Sequence, residues 1–387
     1  FRKMSGDNLQ SKLPNVGTTI FTVMSKMAQD HGALNLSQGY PDFDCPERLK
    51  ELVNQYLHDR KNQYPPMTGI PLLRQEIAKK VSAYYGFTAD PETEVTVTSG
   101  ATEALFDAIH ATVTSGDEVI VFDPAYDSYV PAIALAGAKA IHIPLLLPDY
   151  AVDWSRVEDS ISDKTRLIII NTPHNPCGSI LQQEDLDSLA TLIHDRPIYV
   201  LSDEVYEHMV YDGNMHHSVL CHEELAKKSF AVFSFGKTYH ATGWKLAYCV
   251  AAEKLSAEFR KVHQFVTFTT SSFVQYAIAD FLQECPEHAQ ELAQFYQAKR
   301  DLFCSLLADS KFRFTPSSGT YFQLVDYGEI SNRSDVDFAN YLTQKKGVAA
   351  IPLAPFYESP PATTIIRFCF CKDDSTLERA AEILCNI

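Results

Sequence analysis

The sequence lacks the marks of several large protein classes. No stretch reaches the roughly 18 consecutive apolar residues of a membrane-spanning helix. The polar residues that follow Phe1-Arg2-Lys3-Met4 offer no signal-peptide core. Phe1 is not an initiator, so residues are expected to precede it. Basic residues are in deficit: 33 Lys and Arg against 49 Asp and Glu give a formal charge of −16. That sign argues against nucleic acid or an anionic membrane as the principal partner. The nine cysteines are scattered, with no Cys-x-x-Cys and no Cys/His set at zinc spacing. Free thiols in a reducing compartment, the cytoplasm by default, are therefore expected, and no metal. Cys369 and Cys371 fall on one side of a candidate strand, where packing is favoured over a disulfide. No Gly-x-Gly-x-x-Gly follows a strand, and neither a P-loop nor His-Glu-x-x-His occurs. Dinucleotide, P-loop and zinc-peptidase readings lose their main support.

What is present is an ordinary globular composition, 45% hydrophobic and 21% charged, on a chain of 387 residues. Single cores stop growing at roughly 250 to 300 residues, so two lobes are expected. A helix starts near Thr18-Thr19 and is broken by Asn35 to Phe43, forming with the arm before it a first segment, 1–46. From 47 to 285, helix-period segments alternate with short β-branched runs at Val95–Thr98, Glu118–Phe122, Lys139–Ile143, Leu167–Ile170, Ile198–Leu201, Phe230–Phe235 and Leu246–Val250. That pattern predicts an α/β fold, a mostly parallel sheet with helices on both faces in a three-layer large domain. A long helical stretch, 253–309, leads into a smaller α+β domain over 286–387, with strands at Phe312–Phe314, Thr320–Val325, Val348–Ile351 and Thr364–Phe370 and helices near 335–346 and from 374. Two lobes that share a helix imply a cleft between them.

Four strand-end motifs carry chemistry. In Val97-Thr98-Ser99-Gly100-Ala101-Thr102-Glu103, a strand turns through glycine into a helix whose free N–H groups suit a phosphate, although Ser99 or Thr102 could simply cap it. Asn171-Thr172-Pro173-His174-Asn175-Pro176 is a proline-fixed turn that aims an amide outward. Ser202-Asp203-Glu204-Val205-Tyr206 sets an acid and a phenol three residues apart, with a plain helix cap as the alternative for Asp203. Ser234-Phe235-Gly236-Lys237 places a lysine after an apolar strand. A buried amine there would lose basicity, as Schiff-base chemistry requires, unless the stem merely lies along the sheet and the ammonium reaches solvent.

In this order the motifs resemble the class I/II aminotransferases, pyridoxal 5'-phosphate enzymes of fold type I. The resemblance runs from Leu13 to the final helix. It is nearest the methionine, kynurenine and glutamine K aminotransferase branch, through Asn62 to Gly69, Asn171 to Gly178 and Gly236 to His240. It implies that Lys237 bonds the cofactor and shuttles the proton, that Asp203 pairs with the ring nitrogen, and that Tyr126 stacks on the ring. Asn175 and Tyr206 would hydrogen-bond the ring oxygen. The phosphate would sit on the N–H groups of Ala101 and Thr102, on Ser234 and Lys245, and on Tyr64 reaching in from a second subunit of a homodimer. Arg367 would grip the substrate α-carboxylate, with Asn175 and Gly39 nearby. Lys245 stands where many members carry an arginine, replacing a fork by a point charge; the nearest branch also has lysine there.

No arginine occurs in 261–299, where aspartate-specific relatives would supply one for a side-chain carboxylate. Phe265, Phe268 and Phe273 are there instead, and the resemblance adds Phe21 and Tyr40 to the side-chain pocket. The expectation is amino transfer between a neutral amino acid, of methionine, aromatic, glutamine or kynurenine type, and a 2-oxo acid, in a ping-pong cycle. β-Elimination from cysteine S-conjugates at the same site is the alternative chemistry. A non-catalytic ligand sensor on the same fold is the alternative class, disfavoured by the filled chemical positions.

Overall fold

The computed structural model describes residues 9–387. Thr19 caps the helix Ile20–His31 by accepting from the Thr22 N–H, and Gly32, at φ 62°, ends it in the left-handed region that glycine tolerates. Strand β1 (Leu34–Asn35) follows. Seven strands then build the main sheet: β2 (Val95–Thr98), β3 (Glu118–Asp123), β4 (Lys139–Pro144), β5 (Thr165–Asn171), β6 (Tyr199–Asp203), β7 (Ser229–Ser234) and β8 (Ala247–Ala251). Their order is β2-β8-β7-β6-β5-β3-β4, with only β8 antiparallel to its neighbours. Each of the seven predicted strands is present.

The alternation of side chains along these strands explains the layers. Ile168 and Ile170 point into a core shared with the helices Glu47–His58, Pro71–Tyr85, Gln183–Ile193 and Ser272–Glu284. Leu167 and Ile169 point the other way, to the helices Ala101–Thr112, Tyr129–Leu135 and Glu253–Val266. A strand buried on both faces reads as a continuous apolar run, which is why these were visible in the sequence.

After the main sheet the chain forms β9 (Phe322–Asp326), β10 (Val348–Ala349), β11 (Ile351–Pro352) and β12 (Ile365–Cys369). β12 lies between β11 and β9 in an antiparallel sheet, while β10 pairs in parallel with β1. Several expectations need correction. The stretch 253–309 is three helices, Glu253–Val266, Ser272–Glu284 and Glu287–Leu306, broken by the β-branched run Thr267 to Thr270 and by Pro286. Phe312–Phe314 is not a strand but a single bridge, Arg313 to Asp326. The run Val348–Ile351 divides at Ala350 between two sheets. Phe235 leaves β7 and opens a short helix, Phe235–Thr238. No helix among the described residues is long and apolar enough to cross a membrane.

Candidate active site

The carboxyl ends of β2, β5, β6 and β7 share one edge of the main sheet, and the residues at or just beyond them line one cleft. This is where ligands bind in open α/β sheets. Ala101, Thr102, Tyr126, Asn175, Asp203, Tyr206, Ser234, Lys237 and Lys245, all named from the sequence, line it together.

At the end of β2, Gly100 adopts φ 81° and a side chain there would press on Lys245, whose Cε and Nζ lie 2.7 and 2.8 Å from the position of a Cβ. Only glycine lets that ammonium come so near the helix start. Neither Ser99 nor Thr102 caps the helix Ala101–Thr112. Its first N–H groups therefore remain free to meet an anion beside Lys245.

Asp203 ends β6 and is almost fully buried. One carboxylate oxygen accepts from the Tyr129 hydroxyl at 2.6 Å and the other from the Val205 N–H at 3.4 Å. Both donors are neutral, and burial pushes the carboxyl up to about 6 despite the Tyr129 bond. Residues 204–209 are turns and irregular backbone, so Asp203 caps no helix. Asn171 braces the next motif: its Nδ2 donates to the Asp203 carbonyl at 2.8 Å and its Oδ1 accepts from the Asn175 N–H at 2.8 Å.

Lys237 sits in the short helix after β7, where the Ser234 hydroxyl accepts its N–H at 3.3 Å. Its Nζ donates to the Gly39 carbonyl at 3.4 Å and lies 5.6 and 5.7 Å from the ring centres of Tyr206 and Tyr321. Among the described residues no carboxylate pairs with it, and burial brings the amine down to about 8. A fraction of neutral amine is thus available near neutral pH.

Across the cleft, Arg367 lies on β12 with no exposed surface. Nη1 donates to Asn175 Oδ1 at 2.7 Å and Nη2 to the Ser37 carbonyl at 2.8 Å; Nε is buried without a partner. The Phe322 ring centre is 3.8 Å from the guanidinium carbon and the Phe21 ring centre 5.4 Å. A buried guanidinium that touches carbonyls and rings but no carboxylate is an incomplete ion pair. The bond to Arg367 also fixes the Asn175 amide, leaving its NH2 free to donate.

This donor set fits pyridoxal phosphate: free helix N–H groups with an ammonium for its phosphate, a cation-free buried carboxylate for its ring nitrogen, and an unpaired amine for its aldehyde. Residues 32–384 match the model of the family "Aminotransferase class I and II". The chain belongs to that family. It is 51% identical to the methionine aminotransferase of Escherichia coli over 375 residues, 97% of each chain. The crystal structure of the Escherichia coli protein YbdL, reported to have a methionine aminotransferase function, superposes with a TM-score of 0.96 at 50% identity, covering 98% of this chain and 99% of that one. A kynurenine–oxoglutarate transaminase of Dictyostelium discoideum is 30% identical over 96% of this chain and 94% of its own. The fold is thus that of the fold type I aminotransferases.

Of the remaining predicted residues of this aminotransferase, some lie beside the cleft and others away from it. The Gly39 carbonyl takes both Lys237 Nζ and the Tyr321 hydroxyl, the latter at 2.6 Å; a side chain at Gly39 would meet Phe322 Cζ at 2.8 Å. Phe21 packs on Phe356 at 5.6 Å beside Arg367. Tyr40 is 42% exposed, with Lys372 donating to its carbonyl at 2.7 Å. Tyr64 does not line the cleft of its own chain; it is 84% exposed and edge-on to Phe268. Phe265 is 85% exposed, and Phe273 packs against the helix core rather than lining the cleft. Tyr129 and Asn171 escaped assignment from the sequence. Tyr129 follows Tyr126 by one helical turn's spacing, and Asn171 opens the motif of Asn175, which were the available signals.

Proposed function

We propose that this aminotransferase binds pyridoxal phosphate and moves the α-amino group of a neutral amino acid, of methionine, aromatic, glutamine or kynurenine type, to a 2-oxo acid. When bound, the cofactor supplies an aldehyde that accepts the amino group and an electron-withdrawing ring. Ala101 and Thr102 N–H groups, the Ser234 hydroxyl and Lys245 would hold its phosphate, and Lys237 would anchor it covalently. Asp203 would meet the ring nitrogen, where a cation relieves the cost of its burial. Tyr126 would flank the ring, with the free NH2 of Asn175 and the Tyr206 hydroxyl on its oxygen. Lys237, with basicity lowered by burial, would take the proton from the substrate Cα and return it. Arg367 would bind the substrate carboxylate, completing its ion pair. We also assign the chain a large domain, 47–285, a small domain, 286–387, completed by 1–46, and a place in the cytoplasm, in keeping with nine unbridged cysteines.

A homodimer belongs to this reading. The exposed Tyr64 would enter the neighbouring site, and each chain would complete the other's phosphate contacts.

The observation that carries the substrate class is the identity of the cations. Among the described residues Lys237 and Lys245 are the only cations lining the cleft, Arg367 stands beside it, and no further arginine is offered by 261–299. A second, side-chain carboxylate would be buried without a partner. The test is a donor panel with the holoenzyme, following loss of the cofactor aldehyde band. Methionine, phenylalanine, glutamine and kynurenine should each react at least about tenfold faster than aspartate. A preference for aspartate would overturn the assignment.

A further inference from the structure

His263 has no part in the chemistry above, yet it is fully buried with both ring nitrogens bonded. It lies on the helix Glu253–Val266 with no exposed surface. Nδ1 is 2.5 Å from Glu103 Oε1, and Nε2 is 2.8 Å from the Met67 carbonyl. The carbonyl can only accept, so Nε2 carries a proton. Glu103 also accepts, through its other oxygen, from the Ser99 N–H, which favours its anion and a second proton on Nδ1. Burial alone would lower the ring's basicity, but Asp107 and Glu103 hold it up at about 9. Asp107, 3.6 Å from the same nitrogen and without exposed surface, has neither oxygen hydrogen-bonded. Three ionisable groups are thus buried where apolar side chains would fill the same space at lower cost.

The far ends of these bonds explain the arrangement. Glu103 sits in the first turn of the helix Ala101–Thr112 and holds the Ser99 N–H, so it fixes the turn that presents Ala101 and Thr102 to the cleft. Met67 follows Tyr64 by three residues. The same loop is held at Pro66 by the Thr269 hydroxyl, at 3.2 Å, and at Thr68 by the Val97 N–H, at 3.0 Å. Two residues beyond His263, the helix ends in the exposed Phe265 and Val266, and Phe268, two residues past that end, meets the exposed Tyr64 edge-on.

We infer that His263 is a positioning residue that locks the phosphate turn of its own subunit to the loop carrying Tyr64 into the neighbouring site. The inference rests on the proposed dimer and phosphate contacts. One imidazolium, bonded at both nitrogens, keeps two half-sites in a single register, so a disturbance of either is felt by the other.

The test is a double-mutant cycle on cofactor affinity, measured by titrating apoprotein with pyridoxal phosphate and following tryptophan fluorescence, with the melting temperature of each variant recorded alongside. Tyr64→Phe and His263→Gln should each weaken binding, the latter by about tenfold or more. The double variant should bind no more weakly than the weaker single variant, because freeing the loop already takes the Tyr64 hydroxyl from its contact and its removal then costs nothing more. Independent, multiplying effects, or wild-type affinity in His263→Gln, would overturn the role of His263 and leave the dimer reading standing. Wild-type affinity in Tyr64→Phe would overturn the dimer reading and this inference with it. If His263→Gln does not fold, Glu103→Gln, which takes the charge from the same link while keeping the side chain's shape, carries the cycle with the same expected and overturning results.

Discussion

Asp203 and Glu207 are buried four residues apart, each is matched with a lysine from elsewhere in the chain, Lys237 or Lys80, and the surroundings of the two pairs are opposite. Glu207 is met by the Lys80 ammonium and the Tyr85 hydroxyl, and Lys80 also donates to the Tyr248 hydroxyl at 2.8 Å while its Nζ lies 5.2 Å from the Phe233 ring centre. Burial opposes its charge, but Lys80 and its neighbours outweigh this and hold the carboxyl below the usual range. Four residues earlier, Asp203 has only neutral donors and is pushed up to about 6. Lys237 has only a carbonyl and is brought down to about 8. The closed pair is structure; the open pair is a site awaiting its counter-charges. Burial is common to both, so what distinguishes a reactive group from a structural one is the missing partner.

Lysine-to-alanine changes should separate the two regions most sharply. Lys237→Ala should abolish transamination, a loss on the order of 10⁴-fold or more, with the fold retained. Lys80→Ala should instead cost about 3–5 kcal/mol of stability, because it strands the Glu207 carboxylate; chemical denaturation and a donor half-reaction on both variants check the contrast. Asp203→Asn should slow the half-reaction by at least about a hundredfold while leaving cofactor bound. Near-normal rates would reduce Asp203 to a brace for Tyr129.

The apoprotein offers a second view of the same contrast. Because burial raises the Asp203 pKa, the folded state holds a proton there that the unfolded chain has lost. Its contribution to stability therefore falls as pH rises from about 4 to about 6. Asp203→Asn should remove that slope, adding up to about 3 kcal/mol to apoprotein stability at neutral pH. Glu207, held low, acts in the other sense: its contribution is present above the ordinary carboxylate range and is lost as pH falls through its folded pKa. Urea melts of the apoprotein from pH 4 to 8 measure both slopes.

Smaller effects should fall at Arg367 and Phe21. Arg367→Lys replaces a fork by a point charge and should weaken all donors together by about tenfold, as KM. Phe21→Ala should mainly affect bulky apolar donors, by about tenfold or less. An Arg367→Lys effect confined to one donor would show the two ends of the substrate to be reversed.

The sequence made the strands legible because a strand buried on both faces is an unbroken apolar run, and it made the cleft legible because the reactive motifs sit where such runs stop. It concealed the closed pair. Lys80 follows Lys79 in a helix, as a solvated face would, and its partner Glu207 lies far along the chain. Tyr129 and His263 were hidden for the same reason, since their bonds to Asp203 and Glu103 cross long sequence separations. The helical stretch 253–309 read as continuous because its apolar periodicity persists across breaks that only Pro286 and a β-branched run betray.

The most direct measurement is chemical. Holoenzyme reduced with borohydride, digested and mapped by mass should carry the reduced cofactor on one peptide, at residue 237. Cofactor attached at Lys245 or Lys80 instead, or no attachment in an active enzyme, would contradict the assignment of the unpaired amine as the anchoring group.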